Sequence, residues 1–119
     1  MSNTLKVIFH VNEAGRWDIA LGNITNLLKD VGEGNVDIRV LANGQAVLAF
    51  SEESKIQRMK ELSDKGVRFL ACRNSLRNLC STSDVCISEE HLPEFIGVVP
   101  AGITELIKRQ AEGYAYIKP

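Results

Sequence analysis

The 119-residue chain predicts a single α/β domain of three layers, a parallel sheet with helices on both faces. Three observations carry that expectation. Short apolar or β-branched runs alternate with stretches whose apolar residues recur at helical spacing, so the order reads strand then helix repeatedly and ends on a strand. The first run is apolar on both faces, as in a strand buried within a sheet. Glycine and proline punctuate the joints where helices stop and start.

The run "LKVIFHV" (5–11) is the first strand. Trp17, Ala20, Leu21, Ile24, Leu27, Leu28 and Val31 then fall along one side of a helix, which Gly32 and Gly34 stop. In "VDIRV" (36–40), Val36, Ile38 and Val40 alternate with Asp37 and Arg39, predicting one wet face and a place at the sheet edge. "ANG" (42–44) breaks that strand, and a short apolar run, "AVLAF" (46–50), follows. A second amphipathic helix turns Ile56, Met59 and Leu62 inward, with Glu52 and Glu53 near its start and Lys65 and Gly66 at its end. "VRFLAC" (67–72) is the third strand, and Leu76 with Leu79 predict a short helix directly after it. Residues 80–94 read as polar and irregular. "FIGVV" (95–99) is the fourth strand, and Pro100 opens a helix expected to turn Ile103, Leu106 and Ile107 inward. Gly113 closes that helix, and "YAYI" (114–117) is the last strand. With right-handed crossovers and the second strand at an edge, the order expected is flavodoxin-like, 2-1-3-4-5, within one domain spanning 1–119.

Composition narrows the function. A formal net charge of −1 and a pI near 6.1 supply no electrostatic footprint for nucleic acid or anionic lipid, so neither is an expected partner. The opening "MSNTLKVIFHVNEAGRW" lacks the uninterrupted apolar core of a signal peptide, and no run approaches a spanning helix, so a cytoplasmic protein is expected. Three cysteines, Cys72, Cys80 and Cys86, are then expected to be reduced. The Cys-x5-Cys-x4-His spacing ending at His91 matches no zinc pattern, so no metal is expected; Cys80 or Cys86 reads as a packing or surface cysteine, or as a resolving thiol for Cys72. No glycine-rich phosphate loop follows any strand and no Cys-x-x-Cys is present, so no cofactor is expected.

In a parallel sheet the loops after the strands share one rim, here "HVNEAG", "ANGQ", "CRNS" and "PAG". With the switch point between the first and third strands, His10 to Asn12 would face Cys72 to Asn74. A cysteine at a strand end just before a helix sits near unpaired N–H groups and the positive end of a helix dipole, which favour thiolate. Arg73 and Arg77 would add positive charge. His10 would orient or assist, while Asn12, Asn43 and Asn74 read as caps and turn formers or as ligand contacts. Against this stands the plainer reading, in which Cys72 and His10 are packed residues.

"KVIFHVNE", "GVRFLACRNSLR" and "GVVPAGITELIKRQAEGYAYIKP" resemble the DsrE/DsrF-like family of small sulfur-handling proteins nearly end to end. The most specific parts are Cys-x3-Leu-Arg at Cys72, Leu76 and Arg77 and the tail "RQAEGYAYIKP". The resemblance implies the flavodoxin-like fold, a Cys72 persulfide that passes sulfane sulfur between a donor and an acceptor protein, and homo-oligomers, trimers or hexamers. His10 would assist Cys72, with Asn12, Asn43, Arg73 and Asn74 around the bound group. "LRNLCSTSDV" departs from the family pattern, carrying Asn78 where a glycine commonly follows the arginine. The alternative is a non-catalytic oligomeric module that binds a small anion or a partner protein.

Overall fold

The structure, a computed structural model, describes residues 4–119; the first three residues of the stretch read for a leader lie outside it. Five strands, β1 (Leu5–Val11), β2 (Val36–Ala42), β3 (Arg68–Cys72), β4 (Ile96–Val99) and β5 (Ala115–Ile117), form one sheet in which every pairing is parallel. Between them run α1 (Trp17–Val31), α2 (Glu53–Ser63), α3 (Arg73–Thr82) and α4 (Gly102–Ala111). The chain steps outward from β1 to β4 and then returns to place β5 beyond β1, giving the order β4-β3-β2-β1-β5. Right-handed crossovers therefore leave α1, α2 and α3 on one face and α4 alone on the other. The core divides accordingly: Trp17, Ile24, Met59, Leu76 and Phe69 fill the large side, while Ile8, Leu41, Cys72, Leu106 and Tyr114 form a smaller cluster under α4.

The three-layer, flavodoxin-like class stands, but the order 2-1-3-4-5 is corrected, because β2 lies inside the sheet between β1 and β3. The alternation in "VDIRV" reports two faces, yet the polar one is covered rather than wet. Arg39 Nε donates to the Tyr114 hydroxyl at 3.2 Å, that hydroxyl donates to Asp37 Oδ2 at 2.5 Å, and Arg39 Nη1 lies 3.5 Å from Glu105 Oε1 on α4. A part-buried polar network thus gives the same period-two pattern as a solvated face.

Helix α1 follows its predicted stripe, burying Trp17, Ala20, Leu21, Ile24 and Leu28, and the Trp17 indole donates to Ala46 O at 2.9 Å. The run 46–50 is a buried 3-10 helix within Gly44–Ser51, with Phe50 edge-on to Trp17 at 6.0 Å. In α4 the inward stripe is Gly102, Glu105 and Leu106, and Ile103 and Ile107 are 64% and 60% exposed. That corrects the expected inward isoleucines. The acid turns in because Arg39 and Arg109 reach it, the latter at 3.1 Å.

Residues 80–94 hold the end of α3, a short 3-10 helix (Glu89–His91) and a disulfide between Cys80 and Cys86. The expected reduced pair is corrected: the chain doubles back after α3 and brings the two sulfurs together, leaving Cys72 as the free thiol. Among the described residues, no helix is long and apolar enough to cross a membrane.

Candidate functional site

Strand β3 ends on Cys72, which is also the residue that caps the start of α3, with extended backbone at φ −77° and ψ 118°. Register pairs Cys72 with Val99 at the end of β4, and the chain leaving β4 begins α4 two residues after Pro100. Two helix N-termini therefore converge on one sulfur. From α4, the Gly102 N–H donates to Cys72 Sγ at 3.3 Å. At the start of α3 stand Asn74 and Ser75, and the Ser75 hydroxyl accepts from Gly44 N–H at 2.8 Å, leaving its own proton for the sulfur.

Burial is the largest single influence on the thiol and pushes its pKa up. Against it act the Ser75 hydroxyl and then the backbone N–H groups of Ser75, Gly102 and Asn74, which in sum prevail and hold Cys72 below the ordinary thiol value. The sulfur has an apolar floor of Ile8, Leu41, Leu106 and Tyr114, and Cys72 is only 5% exposed. An anion here is desolvated by its neighbours and held by main-chain dipoles.

His10 stands beside Leu41 in the β1–β2 register. Its Nδ1 is 2.6 Å from the Tyr116 hydroxyl and its Nε2 is 2.8 Å from Asn43 Oδ1. The tautomer protonated on Nε2 satisfies both contacts, with Tyr116 donating to Nδ1. A side chain built at Gly102 would meet Leu41 Cδ2 at 3.2 Å, Cys72 Cβ at 3.4 Å and Asn43 Cβ at 3.5 Å. Gly102 is thus wedged between the thiol and the residue that holds His10. The arrangement runs Tyr116, His10, Asn43, Gly102, Cys72 along the rim.

The expected meeting of the β1 and β3 loops at a switch point is therefore corrected, since β2 intervenes and Asn43 bridges them. Arg73 turns away: its guanidinium grips Glu89 through Nε at 2.9 Å and Nη2 at 3.1 Å. Glu89 holds that arginine's pKa up, and the same bond holds the Glu89 carboxyl below its usual range. Asn74 serves through its backbone. Asn12 lines an adjoining cavity of 230 Å³ with Gly44, Gln45, Ser75 and Asn78, whose lining does not include Cys72. Cys80 lies more than two turns along α3 from Cys72, about 12 Å by helical rise, so it does not act as its resolving thiol in this fold.

Sequence reasoning missed Ser75, Gly102 and Tyr116. Ser75 carried a signal, a hydroxyl at the third position of a helix capped by the cysteine. Gly102 and Tyr116 enter only through the strand order, which sets β4 beside β3 and β5 beside β1.

Comparison with known proteins adds three findings. The model of the DsrE/DsrF-like family matches residues 6–119. No curated protein matches the chain. Among solved structures, the protein of unknown function MTH1491 from Methanobacterium thermoautotrophicum is 34% identical, with 97% of this chain and 99% of that one covered at a TM-score of 0.81.

Proposed function

The chain belongs to the DsrE/DsrF-like family, and on that premise we propose that it is a sulfur carrier or sulfurtransferase working through a Cys72 persulfide. The observation that carries this reading is the thiol placed among donors from two helix starts, with its pKa lowered despite burial. Cys72 thiolate attacks the outer sulfur of a donor persulfide, R–S–SH; the new S–S bond forms as the old one breaks, and RS⁻ departs. The resulting Cys72–S–SH loses its proton and is held as Cys72–S–S⁻ by the Ser75 hydroxyl and the N–H groups of Gly102, Ser75 and Asn74. In the second half, the persulfide takes the proton back, an acceptor thiolate attacks its outer sulfur and the Cys72 thiolate is regenerated. No net oxidation occurs. His10, fixed by Tyr116 and Asn43, lies along the same rim as the group that orients the incoming sulfur.

The test is mass spectrometry of the reduced protein after incubation with a persulfide donor. A gain of one sulfur that disappears in Cys72→Ser supports the reading; no gain in the wild type sinks it. Homo-oligomers, trimers or hexamers, belong to the same proposal, supported by the outward isoleucines of α4.

The 5% exposure of Cys72 favours a second reading, a non-catalytic module in which the thiol is filler and the rim holds a small anion or a partner protein. Alkylation separates the two: a carrier's thiol reacts well below pH 8.5, roughly the unperturbed thiol pKa, and a filler thiol reacts slowly at every pH.

A further inference from the structure

We propose that the Cys80–Cys86 disulfide is a redox site, and that its reduction by a dithiol loosens the Arg73–Glu89 clamp and opens access to Cys72. The inference rests on Cys72 being the reactive thiol of the preceding reading.

Both bridged cysteines are exposed, whereas Cys72 is buried. A reductant in solution therefore meets the bridge first. Cys80 stands in the last turns of α3. Cys86 sits between Val85 and Ile87, which pack on the main core, and shortly before Ser88, whose hydroxyl accepts from Glu90 N–H at 3.3 Å to start the 3-10 helix. Glu89, the first residue of that short helix, grips Arg73, the first residue of α3. Helix α3 is thus tied to one following segment at both ends: covalently near its C-terminus and by a two-pronged ion pair at its N-terminus. Residues 83–88 between these ties form no helix or strand. The N-terminal turn held by the ion pair is the one that presents the Asn74 and Ser75 N–H groups to the sulfur.

The reaction is ordinary thiol–disulfide exchange. One thiolate of the dithiol attacks a bridge sulfur, forming a mixed disulfide and releasing the other cysteine as thiolate. The second thiol of the reductant then displaces the bound cysteine. Two electrons pass from the dithiol, which leaves as its own disulfide, and its two protons end on Cys80 and Cys86. With the small ring open, the segment carrying Glu89 keeps only its non-covalent contacts, and the first turn of α3 opens more often.

The experiment compares Cys72 alkylation by iodoacetamide in the full chain, oxidised and after reduction with dithiothreitol, by peptide-resolved mass spectrometry. Reduction should raise the Cys72 rate by about fivefold to tenfold, the factor expected if half of the entropy of closing so small a ring holds the segment shut. Glu89→Gln with the bridge intact should speed the oxidised protein and shrink the redox effect. Equal rates in the two redox states, a redox effect left whole by Glu89→Gln, or an oxidised protein without the bridge would each overturn the proposal. These outcomes are independent of persulfide loading: loading with equal alkylation rates refutes the redox link alone, and absent loading with unequal rates refutes the carrier reading alone.

Discussion

Cys72 shows how little chemistry is needed to change what a buried thiol does. Its pKa is the outcome of opposed effects, and Ser75 supplies the largest of those that lower it. Ser75→Ala should therefore move the midpoint of the Cys72 alkylation profile upward, while the exposed Gly44 N–H that the hydroxyl accepts from turns to water. The same shift has a consequence for folding. Because the folded pKa lies below the unfolded one, the thiolate contributes stability that is fully present above the unfolded value near ~8.5 and lost as pH falls through the folded value. The urea midpoint of wild type relative to Cys72→Ala should accordingly rise between pH 6 and pH 9; a flat difference would contradict the lowered pKa. Gly102→Ala tests the other side of the sulfur. Its methyl stands tight against Leu41 Cδ2 at 3.2 Å and in ordinary contact with the Cys72 Cβ at 3.4 Å, narrowing the approach to the sulfur, so Cys72 should alkylate more slowly. Cys72 was legible because an apolar run stops on it just where a helical pattern begins. Gly102 was not, since a glycine after a proline marks a helix start wherever it occurs, and only the neighbouring strand tells what it starts against.

Among the elements, α1 and α4 mark the limits of reading periodicity. In α1 every buried residue belongs to the apolar stripe, with Leu27 and Val31 half-buried at its margin, because the face opposite the sheet is simply solvated. In α4 the buried stripe includes Glu105, and the period points to the wrong side unless Arg39 is known to lie beneath it. Tyr114 fastens that arrangement, joining the turn between α4 and β5 to Asp37 and Arg39 of β2. Its phenol is pushed up in pKa, first by burial and then by its bond to Asp37. A raised folded pKa gives stability that is present below the unfolded value near ~10 and lost as pH rises through the folded value. Tyr114→Phe should cost about 0.5–3 kcal/mol at neutral pH and flatten the alkaline fall in stability expected of wild type. For α3 the disulfide was invisible in the sequence, since the spacing of Cys80 and Cys86 does not say whether the chain between them doubles back. Closing a loop of this length is worth about 2 kcal/mol in the chain-entropy model, so reductant should lower the unfolding free energy from urea titration by that amount, and Cys80→Ser should remove the dependence.

For the whole molecule, the order of the strands decides what remains exposed. Among the described residues, the five parallel strands and four helices were legible because the strands are short runs of apolar or alternating residues and α1, α2 and α4 have glycine stops; the order was not, because a part-buried ionic layer under α4 mimics the alternation of an edge strand. Among the described residues, the return of the chain from β4 to β5 leaves α4 with no helical neighbour on its face, and Ile103 and Ile107, one turn apart, point outward at 64% and 60% exposure. Burying two such side chains is worth about 1.5–3 kcal/mol each, and in a self-associating chain every subunit contributes the same pair. Sedimentation equilibrium should thus give wild type a mass that is three or six times 13.1 kDa, the trimer or hexamer of the functional proposal. Ile103→Glu with Ile107→Glu should return the single-chain mass with unchanged circular dichroism, because neither side chain contributes to the core. Wild type sedimenting as one chain would remove association from the proposal, and a double variant that stays assembled would move the contact away from α4.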